Sequence, residues 1–194
     1  PTLEEFSQSI AARPLEFQPG SEYRYGYSID VLGRYIEAIE GKSLDLVMRE
    51  RVFDKLEMND TEFWVANAED RKRVAMVYTR RRNRELRPAM PIAAVMKKPS
   101  AMMGGQGLIS TSGDYAKFCQ MLASKGATPT EGQRVLKADT VELMFENHLK
   151  DIDKIYGLGG MVDGEGTYSW GGAAGTRFWV NCESDSYVVF MIQT

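Results

Sequence analysis

Three observations predict an α+β fold for this chain, with helices first and antiparallel strands last. Val31, Leu32, Tyr35, Ile36 and Ile39 recur at the spacing of one face of a helix. After Tyr168 the period becomes two, with Phe178 and Val180 on one face of a strand and Arg177 and Trp179 on the other. A polar hairpin loop, Asn181 to Ser186, then leads into an apolar run, Tyr187 to Gln193, expected to be a buried strand. Residues 1–150 are thus expected to form a mainly helical region, with a basic hairpin excursion near 74–90. Residues 151–194 are expected to supply the strands of an antiparallel sheet.

The elements follow in order. Residues 1–12 form a short helix with Thr2 as N-cap and Glu5 three positions on, a capping-box pattern. Pro14 and Phe17-Gln18-Pro19-Gly20 end it in a turn. Ser28 to Glu40 is an amphipathic helix with Asp30 in its first turn and Gly41 as C-cap. A further helix runs from Ser43, a candidate N-cap, through Leu44, Val47, Met48 and Val52 to about Leu56, before the turn Asn59-Asp60-Thr61. Ala75 to Thr79 reads as a strand, Arg82-Asn83-Arg84 as a turn and Leu86 to Ala89 as the return. Gly104-Gly105-Gln106-Gly107 precedes a capped helix carrying Tyr115, Phe118, Cys119, Met121 and Leu122, and another helix is expected from about Ala138 to His148.

Composition narrows the function classes. The chain has 43% hydrophobic and 26% charged residues and a net charge of −3, values of an ordinary globular domain and not of a dedicated nucleic-acid binder. Arg71, Lys72, Arg73, Arg80, Arg81, Arg82, Arg84 and Arg87 form the one basic cluster, with only Tyr78 as an interleaved aromatic. A solvated hairpin surface accounts for it better than base stacking. No apolar run approaches the roughly 18 residues of a membrane span. Cys119 and Cys182, which leave a disulfide open, and the single His148 make no metal framework. No metal or other cofactor is expected.

His148 has no glycine elbow around any serine to serve, and it reads as a surface residue near a helix end rather than a triad base. Gly104-Gly105-Gln106-Gly107 is not followed by the Lys-Ser or Lys-Thr of a phosphate loop. Two other stretches carry more chemistry. Trp170-Gly171-Gly172-Ala173-Ala174-Gly175 sheds side-chain bulk, so a ligand carbonyl can approach backbone N–H groups that stabilise an oxyanion. A tight sheet bend explains the same residues without a ligand. Tyr25 lies between a Pro-Gly turn and a helix, but an ordinary phenol, with a pKa of about 10, is a poor base at neutral pH.

Taken together, these stretches resemble the serine β-lactamase/penicillin-binding-protein superfamily, in particular its class C β-lactamase-like branch with the family VIII carboxylesterases. Tyr25-Gly26-Tyr27-Ser28, then Gly41-Lys42-Ser43-Leu44, is similar to the tyrosine segment. Val52-Phe53, Leu56, Met58 and Asp60-Thr61 resemble a "Phe-x-Pro-Leu-Gly-Met-x-Asp-Thr" segment, with Lys55 and Glu57 at the proline and glycine positions. Gly104 to Thr111 with Asp114-Tyr115, and Gly132 to Leu136 leading to Thr140-Val141-Glu142-Leu143-Met144, match further stretches in order. Trp170-Gly171-Gly172 falls at the third motif, Lys-Thr-Gly in lactamases.

The resemblance implies a partial β-lactamase/transpeptidase-like fold and a catalytic set of Tyr25, Trp170, Gly171, Gly172 and Ala173. Tyr25 would be general base or proton relay, and Ala173 would give one oxyanion N–H. Tyr27 stands where the motif often has asparagine, and Trp170 replaces a lysine, which favours neutral esters over carboxylate-bearing β-lactams. The Ser-x-x-Lys nucleophile motif has no match, since no serine here has lysine three positions on. The resemblance therefore implies one incomplete domain, lacking its first part and a final helix, inactive alone and prone to self-association through exposed sheet. In the intact parent it would turn over a small ester or amide through an acyl-enzyme. A catalytically dead peptide- or peptidoglycan-binding module and a penicillin-binding or D-amino-peptidase activity are the alternatives.

Overall fold

The computed structural model of the chain describes every residue except Asn83, Met90 and Thr194. Helix α1 (Leu3–Ala11) starts where the Thr2 hydroxyl accepts the Glu5 N–H at 3.2 Å and the Glu5 carboxylate accepts the Thr2 N–H at 2.9 Å. This reciprocal cap satisfies two donors that the first turn would leave orphaned. Helix α2 (Ser28–Glu40) stops at Gly41, whose φ of +64° suits a residue without Cβ.

The next helix is shorter than its periodicity suggests. Helix α3 (Leu44–Met48) passes into a wide π turn over Arg49–Phe53 and a tight 3-10 turn over Asp54–Leu56. The Ser43 hydroxyl makes no cap bond. Instead the Glu37 carboxylate of α2 accepts the Leu44 N–H at 3.0 Å, so one helix caps the next.

Strands β1 (Tyr78–Arg80) and β2 (Leu86–Pro88) pair as an exposed antiparallel hairpin; Asn83 of its expected turn lies outside the described residues. The flanking basic side chains are partly neutralised: Arg73 bonds Asp60 and Asp70, and Arg87 bonds Glu85. Helices α4 (Ser112–Ala123) and α5 (Ala138–Phe145) follow, α4 capped by the Thr111 hydroxyl, which accepts the Asp114 N–H at 3.1 Å. Helix α5 ends three residues before His148. Among the described residues no helix is long and apolar enough to cross a membrane.

Strands β3 (Met161–Val162), β4 (Thr167–Gly171), β5 (Arg177–Asn181) and β6 (Ser186–Phe190) form an antiparallel sheet in that order. Tyr168 lies opposite Val180 and Trp170 opposite Phe178, so all four side chains share one face. Helix α4 lies against β5 and β6, and α5 against β4. The core they enclose includes Leu56, Cys119, Met121, Leu122, Val141, Tyr168, Phe178 and Val180.

Strand β6 corrects one expectation. It is not buried: Val188 is 58% and Phe190 48% exposed. It closes the sheet as an edge, and both residues lie on the face of Trp179, opposite the one that α4 covers. Both cysteines are free, with Cys119 buried and the Cys182 thiol against the Leu122 carbonyl.

Asp114 is the most heavily bonded buried acid. It accepts the Asp60 N–H at 2.7 Å, the Thr61 hydroxyl at 3.0 Å and the Lys117 ammonium at 3.2 Å. Helix α4 is thereby tied to the Asp60-Thr61 turn, and the charge is compensated as burial requires.

Burial also raises the pKa of the core acids. The Cys119 thiol is pushed up to about 12, and the phenols of Tyr115 and Tyr168 rise above the ordinary tyrosine value. Each group holds its proton more tightly when folded, so this stability is complete below the unfolded thiol value of about 8.5 and is lost as pH climbs toward 12. The urea midpoint is expected to fall steadily above about pH 9 and to fall less steeply in Cys119→Ala. A midpoint unchanged up to pH 11 would contradict this burial.

Candidate active site

Tyr25 lies in the irregular segment between the Gly20 turn and α2, 66% exposed. Its ring meets that of Trp170 with centroids 5.8 Å apart and planes tilted by 34°. The stretches singled out at opposite ends of the sequence therefore touch. Tyr27 turns elsewhere, edge-on to Phe6 of α1 at 5.3 Å.

Two close approaches hold the tyrosine segment. The buried Asp30 carboxylate in the first turn of α2 accepts the Gly105 N–H at 2.9 Å. Gly104 presses so tightly on α2 that a Cβ there would lie 2.3 Å from the Ile29 carbonyl oxygen. Gly104-Gly105-Gln106-Gly107 is thus a helix-packing turn, and the donor of Gly105 is already spent on Asp30.

At the other side of the site, β4 ends in a tight turn. The Gly172 N–H donates to Thr176 O at 2.8 Å and the Gly175 N–H to Gly172 O at 3.0 Å, with Gly175 at φ +90°. A Cβ on Gly172 would stand 2.3 Å from Thr176 Oγ1, whereas one on Gly171 would find only ordinary contacts from 3.4 Å. Strand β3 pairs only with Tyr168 and Ser169, so from Trp170 onward that edge of β4 has no partner strand among the described residues. Gly172 points its N–H at β5, and ladder alternation turns that of Gly171 to the open edge. Within the turn, the Ala173 N–H makes no backbone hydrogen bond among the described residues.

Tyr156 is a neighbour that sequence reasoning missed. Its ring stands edge-on to Trp170 at 5.6 Å and 5.2 Å from that of Tyr23. Burial, then the phenols of Tyr23 and Tyr25, push its pKa up to about 12. The available signal was an aromatic immediately before a glycine run. Gly157 and Gly160 are glycines because Cβ atoms would meet the Met144 carbonyl oxygen at 2.2 Å and the Tyr168 ring at 2.5 Å. His148 is structural: its Nε2 lies 2.7 Å from Leu143 O, and its backbone N–H donates to Tyr156 O at 2.9 Å.

A cation stands near the Trp170 motif, but across the sheet from it. Arg177 pairs in register with Gly171, and its guanidinium lies 3.5 Å from the place of a Gly171 Cβ, on the face away from Trp170.

The family model described as Beta-lactamase matches residues 1–194. The chain belongs to the beta-lactamase family. An uncharacterised protein of Mycobacterium tuberculosis is 31% identical over 95% of this chain and 52% of its own length. A lovastatin esterase of Penicillium rubens is 28% identical over 93% of the chain and 52% of its own. The chain thus spans about half the length of the curated relatives it matches. Among solved structures, EstCE1, described as a hydrolase with promiscuous acyltransferase activity, superposes with a TM-score of 0.81 at 24% identity, over 100% of this chain and 57% of that one. This likeness establishes the beta-lactamase/transpeptidase-like fold.

Gly172 gives a direct test of the turn. Gly172→Ala is expected to cost about 1–3 kcal/mol of stability through the collision with Thr176 Oγ1, and Thr176→Ala in the same chain to restore most of it. A double-mutant cycle in urea reads the coupling; additive effects would mean that the two residues do not constrain each other.

Proposed function

We propose that this chain supplies the tyrosine and oxyanion side of a serine esterase or acyltransferase site that works through an acyl-enzyme. The observation that carries this reading is the Tyr25–Trp170 contact at the open end of β4, with the Ala173 N–H in the adjoining turn making no backbone hydrogen bond among the described residues. Membership of the beta-lactamase family and the esterase among the relatives support it.

In this mechanism a serine hydroxyl attacks an ester carbonyl. The proton it gives up passes through Tyr25, with a lysine of the Ser-x-x-Lys type beside it, to the leaving oxygen. The ester C–O bond breaks and the acyl group stays on the serine. Ala173 N–H is one donor to the transient oxyanion, a contribution of roughly 3–4 kcal/mol where such donors have been removed. Water then releases an acid, or an alcohol takes the acyl group as a new ester. Trp170 puts an uncharged ring beside Tyr25 where the motif has lysine, and Arg177, paired with Gly171, lies on the opposite sheet face. Neutral esters therefore suit the site better than substrates recognised by a carboxylate.

The nucleophile is proposed to lie outside these 194 residues, because none of their serines has lysine three positions on. The same fact favours a second reading, a binding module of this fold without catalysis. Intact-mass analysis after exposure to a fluorophosphonate is expected to show no adduct on this chain; a stoichiometric adduct on one serine would place the nucleophile within it and replace this mechanism. In the full-length gene product, p-nitrophenyl butyrate hydrolysis is expected to lose about 10²- to 10³-fold in kcat on Tyr25→Phe, with KM little changed. An unaltered kcat would remove Tyr25 from the proton path.

A further inference from the structure

We propose that Tyr156 is a specificity-determining residue of this site, its ring forming with Tyr23 and Trp170 an aromatic wall beside Tyr25 that receives a flat apolar group of a neutral ester. The proposal rests on the reading of Tyr25 as the reacting phenol and adds the class of substrate group that lies next to it.

The wall is continuous. Tyr23 and Tyr156 stand 5.2 Å apart, Tyr156 and Trp170 5.6 Å, Trp170 and Tyr25 5.8 Å. The interplanar angles of 41°, 87° and 34° leave both faces and edges presented, the geometry in which a further ring packs against aromatic neighbours. These four side chains carry hydroxyls and an indole N–H but no formal charge. Burial, pushing its pKa up to about 12, keeps the Tyr156 phenol protonated at ordinary pH.

The position of Tyr156 is held from several directions. Asn147 Oδ1 accepts the Leu149 N–H at 3.0 Å and the Tyr156 N–H at 3.1 Å, while its amide donates to Lys154 O at 2.9 Å. The His148 N–H donates to Tyr156 O at 2.9 Å, so both backbone polar groups of Tyr156 are engaged. Immediately after it, Gly157 is pressed against the Met144 carbonyl at the end of α5. The loop from 147 to 156 therefore delivers one ring to the end of β4, and rigid delivery lets a wall discriminate by shape.

The test is a titration of this chain, 15N-labelled, with 2-acetonaphthone, a carbonyl compound that cannot be hydrolysed, reading the Trp170 indole N–H. Cyclohexyl methyl ketone is the non-aromatic comparison. The naphthyl ketone is expected to bind at least about tenfold more tightly than the cyclohexyl one, and Tyr156→Phe to keep that ratio. Tyr156→Ala is expected to weaken naphthyl binding about tenfold and to bring the ratio to about threefold or less. Should the alanine variant fail to fold, Tyr156→Leu keeps the bulk, loses the ring and is expected to lose the same discrimination. Unchanged affinity and ratio in the folded variants, or no shift at Trp170 up to the solubility limit, would overturn the proposal. Ketone binding is read at Trp170 in this chain and catalysis through Tyr25→Phe in the full-length gene product, so the two readings fail separately. Binding as expected, with hydrolysis in the full-length gene product indifferent to Tyr25→Phe, would therefore overturn the catalytic reading alone. Hydrolysis that needs Tyr25, with binding indifferent to Tyr156→Ala, would overturn this proposal alone.

Discussion

The anchoring of Tyr168 and Phe178 in the core is the constraint from which the site follows. Tyr168 packs on Phe145 of α5 at 5.2 Å and on Phe178 of β5 at 6.0 Å, and Phe178 meets Tyr115 of α4 at 5.1 Å. The phenol of Tyr168 donates to Leu158 O at 2.9 Å, so its polar end is satisfied within the apolar layer. With Tyr168 fixed inward, the two-residue period of a strand leaves Trp170 no choice of face. It emerges on the same side one step beyond the end of β3, where Tyr25 and Tyr156 meet it. A one-residue slip of β4 would turn Trp170 to the opposite face and dissolve the contact on which the proposed chemistry depends.

The glycines around the site mark close approaches rather than loose chain. Gly104 lets a turn press on α2, Gly157 lets a loop press on α5, and Gly172 makes room for the Thr176 hydroxyl. Each removes a Cβ that would collide within 2.4 Å, so in all three places backbone or a short side chain reaches distances that a side chain would forbid. The two elements that carry Tyr25 and Tyr156 are both positioned this way. An oxyanion site of the kind proposed needs its donors in place before charge develops, and tight turns suit that requirement.

What was legible in the sequence is what neighbouring residues decide. The Thr2–Glu5 cap, the limits of α2 and the inward pair Phe178 and Val180 all rest on interactions within a few positions, and each has the form its spacing predicts. The Tyr25 and Trp170 stretches were visible as motifs, although only the fold brings their rings to 5.8 Å. The misses are long-range. Glu37 displaces Ser43 as the cap of α3 because it reaches across from another helix. The apolar content of β6 predicts burial, but edge position and an uncovered outer face decide otherwise. The position of Tyr156 is set by Asn147 and His148, which read locally as polar residues at a helix end.

Sheet parity also bears on substrate charge. Replacing the motif lysine by Trp170 would mean little if another cation stood on the same face of the sheet near Tyr25. Arg177 is the strand cation paired across from the motif, and its register with Gly171 assigns it to the other face. Alternation places Trp170 with Phe178 on the covered side and Arg177 with Gly171 on the open side, so the separation is a property of the ladder and not of a rotamer. A carboxylate directed at Arg177 would therefore hold its substrate on the face away from Tyr25. In the proposed mechanism a neutral ester has no such conflict: its carbonyl would meet the Ala173 N–H while its apolar part would rest on the aromatic rings. The proposed aromatic wall and the position of Arg177 thus point the proposal to the same class of substrate for independent reasons, one by attraction and one by the absence of a competing anchor.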